Sequence, residues 1–323
     1  MTNVALHELQ QMKSMIDNAE RIMIVVHEKP DGDALGSACG LAGYLLHQNI
    51  SFQIFSPTPR SPAFDFLPFS NHITEDVEVW ETFQPDTVVL VDSGSLLRSG
   101  VDQIVARMTK RPVIINVDHH ASNEMFGDLN IVKVDAASTT EIIYRFYCDL
   151  GIPLDQNIAT CLLNGMMTDT MTFHNAATSA SVVEASSHLL TFGAKIRDIA
   201  KNIFNNKKLT TLKLWGKALS RLSMSNEWGI AVTFITEEDL KEAGADEEDS
   251  SGLSNFLNSL DARAILVLTE QKDGSLKGSL RTTRDDVDVM KFAKLFGGGG
   301  HKKAAGFTVK GKIEQTPDGF RVV

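Results

Sequence analysis

Arg21-Ile-Met-Ile-Val-Val-His27-Glu-Lys-Pro-Asp31-Gly-Asp33 decides the reading of the fold. Its first part is an apolar run without polar alternation, which predicts a buried strand over residues 21–27. Its second part is a turn that carries three metal-competent side chains, His27, Asp31 and Asp33. Hard divalent cations take carboxylate oxygen and borderline ones also accept imidazole, so such a cluster at a strand end points to a metal site. Pro-Asp-Gly is also an ordinary turn sequence, and alone it would decide little. Its weight comes from recurrence further down the chain.

Working outward, apolar runs at residues 51–55, 86–91, 112–118 and 130–134 predict further strands. Helical spacing lies between them, as over residues 34–48. Continuous apolar strands separated by helices predict an α/β fold whose N-terminal domain is a mostly parallel sheet with helices on both faces. Residues 155–167 read as a helix with Asp155 as N-cap. The proline-rich residues 56–62 read as surface loop, and residues 195–223 as a helical connector. Beyond it, strands are expected at 228–236, 264–271 and 275–282, the last two joined by a hairpin at Asp273-Gly274. A helix over 287–296 runs into four glycines and then a final strand at 305–309. The domains are therefore set at residues 1–192 and 225–323, with a linker over 193–224, the second being a smaller α/β domain.

The chain has 323 residues, enough for a large core and a second domain. Its mean hydropathy is -0.07, and no apolar run approaches the roughly 20 residues needed to span a bilayer. The N-terminus lacks the basic start and apolar centre of a signal peptide. Cys39, Cys148 and Cys161 lie in apolar segments without CxxC spacing, as expected of reduced cysteines in a cytoplasmic protein. A net charge of -10 argues against stable binding of duplex DNA but not against a small phosphorylated substrate. Helix faces of the first domain could support a homodimer, though no specific signal marks one.

Three more carboxylate positions repeat the first pattern. Asp92 follows the run 86–91, Asp118-His119-His120 closes the run 112–118, and Asp169 closes a helical segment. In open parallel sheets ligands bind beyond the carboxyl ends of the strands, so these groups are expected at one edge. One aspartate at a strand end is ordinarily a cap or turn residue; four such sites on coordinated strand ends are not explained that way. With carboxylates and imidazoles together, manganese is the natural ion, with cobalt or magnesium as competitors. Two cations about 3.5–4 Å apart can hold a bridging hydroxide and clamp a phosphoryl group.

These motifs resemble the DHH superfamily of phosphoesterases: His27-x3-Asp31-Gly-Asp33, Asp92-Ser-Gly, Asp118-His119-His120 and Thr168-Asp169-Thr170, in that order. The resemblance implies that His27 and Asp31 hold one cation, that Asp33, His119 and Asp169 hold the other, and that Asp92 bridges them. It further implies that His120 contacts the phosphate and assists as an acid, with Asp118 orienting a neighbouring ligand. One departure is Met171-Thr-Phe-His174, where many relatives have glycine after Thr-Asp-Thr. Phe296-Gly-Gly-Gly-Gly300-His301-x2-Ala304-Ala305-Gly306 resembles the glycine-rich signature of a DHHA1 domain. Gly298, Gly299, Gly300 and His301 are then expected at the substrate, since bare backbone N–H groups approach anions closely.

Residues 277–303 carry seven Lys or Arg against three Asp in an otherwise acidic chain. Arg281 there, and Arg98 beyond Asp92, are further phosphate-contact candidates. The two-domain layout resembles the nanoRNase and pAp phosphatase group. It implies an enzyme that hydrolyses short RNA oligonucleotides and 3'-phosphoadenosine 5'-phosphate (pAp). A phosphodiesterase for cyclic or linear dinucleotides is the alternative, and a catalytically silent nucleotide-binding regulator is a second. The intact set of ligand positions argues against the silent reading.

Overall fold

Strand β1 (Arg21–Val25) sends Ile22 and Ile24 into one hydrophobic core and Met23 and Val25 into another, as a strand covered on both faces must. The computed structural model describes residues 4–204, 207–225, 227–300, 302–316 and 319–323. The chain divides into two compact units, Met1–Asn206 and Lys207–Val323.

In the first unit α1 (Leu6–Asp17) precedes β1, and α2 (Gly32–His47), β2 (Ser51–Phe55), β3 (Ile73–Thr74), α3 (Val79–Phe83), β4 (Thr87–Val91) and α4 (Asp102–Arg107) follow it. Next come β5 (Val113–Asp118), β6 (Leu129–Val132), α5 (Thr139–Asp149), α6 (Gln156–Asp169), α7 (Ala180–Thr191) and α8 (Ile196–Ile199). The six strands are all parallel, in the order β3-β2-β1-β4-β5-β6. Helices α1, α2, α5, α6 and α7 contribute to the core on one face of the sheet, and α3 and α4 to the core on the other. The order reverses between β1 and β4, which opens a crevice beyond their carboxyl ends.

Helix α2 begins two residues earlier than the spacing predicts, because Asp31 caps it by accepting from the backbone of Asp33 and Ala34. It is buried over most of its length and lies against α6. A Cβ on Gly36 would stand 2.6 Å from the Cys161 carbonyl, so glycine permits the approach. Asp155 caps α6 by accepting from Ile158, as expected. The short β3, α3 and α4 carry too few residues for periodicity to reveal.

The second unit comprises α9 (Leu209–Ser220), β7 (Ser223–Ser225), β8 (Ile230–Ile235), α10 (Glu237–Ala243), α11 (Leu253–Leu257), β9 (Ala264–Glu270) and β10 (Ser275–Arg281). It continues with α12 (Val289–Leu295), β11 (Gly299–Gly300), β12 (Ala304–Lys310), β13 (Ile313–Thr316) and β14 (Gly319–Val322). Its sheet is mixed, in the order β11-β12-β10-β9-β8-β7, with only β8 and β9 parallel among the described pairs. Gly274 turns the expected hairpin with φ +77°. The strand expected to be last is β12, but a hairpin of β13 and β14 follows it. The stretch 195–223 is shared between the units: Ile199 is buried in the first, and Leu214, Trp215 and Ala218 in the second.

Ion pairs tie the end of α9 to α10: Lys217 meets Glu242 and Asp239, and Arg221, the residue after α9, meets Asp239. Arg221 donates through Nη2 to Asp239 Oδ1 at 2.8 Å and also contacts Oδ2, while Thr236 N donates to Oδ2 at 2.9 Å. Burial alone would raise the Asp239 carboxyl, but Arg221 and Thr236 outweigh it and hold it down at about 2. A depressed carboxylate stabilises the fold above its unfolded value and ceases to do so as pH falls through the folded one. Asp239→Asn is therefore expected to lower the melting temperature of the second unit at pH 7. The gap from wild type should close between about pH 4 and pH 2. A difference constant across that range would contradict the assignment.

Candidate metal centre

Each proposed ligand sits where a strand or helix ends. His27 lies two residues beyond β1, Asp31 and Asp33 open α2, Asp92 follows β4, His119 and His120 follow β5, and Asp169 is the last residue of α6. Strands β1, β4 and β5 are neighbours, so the crevice at the reversal gathers the groups. Potential ligand atoms of His27, Asp31 and Asp92 lie within 4.8 Å of one another, as do those of Asp33, His119 and Asp169. Asp92 also forms such a group with His119 and His120. The carboxylate of Asp92 stands 3.7 Å from His27 Nε2 and 3.6 Å from His119 Nε2.

The imidazoles are oriented by their other nitrogen. His27 Nδ1 lies 2.8 Å from the Glu28 carbonyl and His119 Nδ1 3.3 Å from that of Ala136, so both rings turn Nε2 towards the carboxylates. A backbone carbonyl on one nitrogen and the other left for a cation is the arrangement of metal-binding histidines. His119 Nε2 is buried and makes no directed hydrogen bond, although Asp169 Oδ2 is 3.2 Å away. His120 differs: its Nδ1 is committed to Asp118 Oδ1 at 2.8 Å. Burial would raise the Asp118 carboxyl, but hydrogen bonds from His120 and Asn123 hold it below the usual range.

Burial and crowding shift these carboxylates strongly. Asp33 is pushed up to about 7, chiefly by burial and then by the charge of Asp169. Asp92 is driven well above its ordinary value by burial and by Asp33, Asp31 and Asp169, and Asp169 is raised by burial first. Burial would lower the His119 imidazole, but Asp169, Asp33 and Asp92 override it and push it up to about 10. Four crowded carboxylates, Asp33 and Asp92 among them buried, call for positive charge, and two divalent cations would balance them. The donor set therefore fits metal.

Backbone strain concentrates here. Of nine non-glycine residues with positive φ among the described residues, five flank the cluster: Lys29, Asp92, Met171, Thr172 and Phe173. Each costs about 1–2 kcal/mol and is typical of functional sites. Residues 171–173 follow Asp169, whose carbonyl accepts from Asn175 Nδ2 at 2.6 Å. Glycine would suit φ +49° at position 171 without strain. Met171→Gly is expected to stabilise the first unit by about 1 kcal/mol, raising its melting temperature by ~2–4 °C. Calorimetric melting checks it, and a lowered temperature would contradict the strain.

The spacing does not reveal the donors that hold these carboxylates. Thr139 N donates to Asp33 Oδ2 at 2.6 Å, Thr140 N and Oγ1 to Asp33 Oδ1 at 3.0 and 2.8 Å, and Thr139 Oγ1 to Asp92 Oδ1 at 3.1 Å. Asn123 Nδ2 donates to Asp118 Oδ2 at 2.6 Å. The Ser138-Thr-Thr-Glu141 run carried a helix-start signature that could have pointed to α5. Arg98 is exposed, and its carbonyl accepts from Glu28 N at 3.4 Å.

In the second unit, Arg281 donates through Nε to Asn255 Oδ1 at 2.6 Å and through Nη1 to the Leu280 carbonyl at 2.8 Å. Both acceptors are neutral, and burial pulls the guanidinium down from its ordinary value. Gly299 and Gly300 form β11, paired with Gly306 and Ala305 of β12. A Cβ on Gly298 would meet the Gly306 carbonyl at 2.2 Å, and one on Gly300 the Ala304 carbonyl at 2.5 Å. Packing therefore accounts for those two glycines, whereas a Cβ on Gly299 would meet nothing within 4 Å. His301 lies outside the described residues.

The DHH family, N-terminal domain, matches residues 21–166, and the DHHA1 domain matches residues 227–320. The bifunctional oligoribonuclease and PAP phosphatase NrnA of Thermus thermophilus is 31% identical over 291 residues, 90% of this chain and 84% of that protein. Its namesake from Bacillus subtilis is 26% identical over 293 residues, 90% of each. An exopolyphosphatase-related protein from Bacteroides fragilis has a structure with a TM-score of 0.88 at 26% identity, covering 97% of this chain and 94% of that one.

Proposed function

The chain belongs to the DHH family and carries a DHHA1 domain, and from that footing we propose a metal-dependent phosphoesterase that hydrolyses short oligoribonucleotides and pAp. The observation that carries the reading is the meeting of four separate motifs in two ligand groups that share the region of Asp92. His27 and Asp31 would hold one cation, Asp33, His119 and Asp169 the other, and Asp92 both; manganese suits this mixture of carboxylate and imidazole. When bound, such cations neutralise charge on phosphoryl oxygens and make a water more acidic.

The chain's own groups do the rest. Asp118 occupies Nδ1 of His120, which fixes the ring and makes Nε2 the atom through which it would contact the phosphate or give up a proton. Arg281, held by neutral acceptors, supports a role in gripping a phosphate, and Gly299, whose position packing does not explain, is the bare backbone two residues before His301 in sequence. Gly298, Gly300 and Arg98 remain weaker substrate contacts in this reading. Three free cysteines and a formal charge of -10 suit a cytoplasmic enzyme acting on small anionic substrates rather than on duplex DNA. Among the described residues no helix is long and apolar enough to cross a membrane.

Product chromatography separates the substrate classes. The chain is incubated with pAp, a 5'-phosphorylated diribonucleotide or a cyclic dinucleotide, each with manganese and with chelator. Manganese-dependent release of phosphate or mononucleotides from the first two is expected. Turnover of the cyclic dinucleotide alone would replace this substrate assignment with the diesterase.

A further inference from the structure

We propose that Thr139 is a positioning residue of the metal centre, orienting the Asp33 and Asp92 carboxylates so that both can serve cations. The proposal rests on the metal reading above. Thr139 is fully buried and opens α5. Its backbone N–H reaches Asp33 Oδ2 at 2.6 Å, and its hydroxyl donates to Asp92 Oδ1 at 3.1 Å. One residue thus touches carboxylates delivered by two different elements, Asp33 of α2 and Asp92 at the end of β4.

Carboxylates need such a guide. Rotation about their terminal torsion is broad, and four of them crowded together repel. Donors from the protein choose which lone pairs remain for a cation. At Asp33, Thr140 occupies Oδ1 twice and Thr139 occupies Oδ2 once, which leaves acceptor capacity on Oδ2. At Asp92, Thr139 takes one position on Oδ1 and leaves Oδ2 facing His27 Nε2 at 3.7 Å. The amino end of α5 adds a favourable partial positive charge beneath Asp33.

The turn that presents Thr139 is itself anchored. Ala137 N donates to Glu141 Oε2 at 2.8 Å, Ser181 Oγ of α7 donates to Glu141 Oε1 at 2.6 Å, and Glu141 N donates to Ser138 Oγ at 3.1 Å. The neighbouring Ala136 carbonyl receives His119 Nδ1. One buried turn therefore reaches Asp33, Asp92 and His119. The β-branch of Thr139 restricts its first torsion, so the hydroxyl is held towards Asp92.

Thr139→Val isolates the hydroxyl, since valine keeps the shape, the branch and the N–H to Asp33. Manganese affinity of the metal-stripped, full-length chain is measured by titration calorimetry, beside its metal-free melting temperature. Groups that orient metal ligands are typically worth about 10- to 100-fold in affinity. The expected result is a loss of that size in Thr139→Val and in Thr139→Ala, near wild-type affinity in Thr139→Ser, and a metal-free Thr139→Val that melts within a few degrees of wild type. Unchanged affinity in Thr139→Val would overturn the proposal, as would equal losses in the serine and valine variants. Should the valine chain fail to fold, the serine and alanine variants decide by the same comparison. A wild-type chain that binds no manganese would instead remove the metal reading itself.

Discussion

Asp92→Ala should lower kcat on pAp by about 10³-fold or more, on the order of 4 kcal/mol of transition-state stabilisation, with the chain still folded. Asp92 is the residue common to two of the ligand groups, standing between His27 and His119. Losing it removes the group proposed to touch both cations. The fold should survive because the side chain supports no hydrophobic core. Its carboxyl is pushed well up by burial and then by Asp33, Asp31 and Asp169, so without cations its removal relieves repulsion. Against that stands the left-handed backbone at φ +57°, which alanine tolerates less well than aspartate. The metal-free variant should therefore melt within a few degrees of wild type, while added manganese should raise its melting temperature far less than it raises the wild type's. Asp92→Asn, better suited to the backbone, should behave alike. Near-normal turnover in either would sink the bridging role.

Gly165→Ala should damage both stability and activity from a position that carries no chemistry. A Cβ there would stand 2.4 Å from Thr140 Cγ2 and 2.5 Å from Asp33 Oδ1. Neither neighbour can yield easily, since both are fully buried and hydrogen-bonded to each other. Relief must come from α6 moving away, and α6 ends in Asp169, one turn beyond Gly165. Overpacking of this kind costs about 1–3 kcal/mol. The displaced Asp169 should weaken manganese binding and reduce turnover by at least ~10-fold, by analogy with other losses of ligand orientation. Gly216→Ala is the control: a Cβ on that exposed residue of α9 meets nothing within 4 Å, so alanine should stabilise the helix by about 0.5–1 kcal/mol. If Gly165→Ala were as benign, the close approach of α6 would not be setting the site.

Strands β1, β4 and β5 are readable because each is apolar on both faces and runs into a polar, metal-competent residue. The run before His27 and the run before Asp118 show both features at once. The cap role and the ligand role of Asp31 are not rivals: its Oδ1 accepts from Asp33 and Ala34 while His27 Nε2 lies 3.9 Å away. Beyond the ligands the reading thins. Thr139 and Thr140 act through contacts with Asp33 that span more than a hundred positions, and local pattern does not encode such pairings. The glycines at 298 and 300 look like anion-binding backbone but also satisfy close packing against β12, which a linear motif does not distinguish. The terminal hairpin of β13 and β14 is short and mixed in polarity, with Ile313 and Phe320 packing on the core, too few apolar positions for an alternation to show in sequence.

The measurement to make is the manganese requirement of catalysis, counted per chain. Metal-stripped protein is titrated with manganese while phosphate release from pAp is followed under tight-binding conditions. The expected result is no turnover without metal and activity that levels off at two equivalents, matching the two cation sites proposed around Asp92. Full turnover in the presence of chelator, or activity already complete at one equivalent, would contradict a two-cation phosphoesterase.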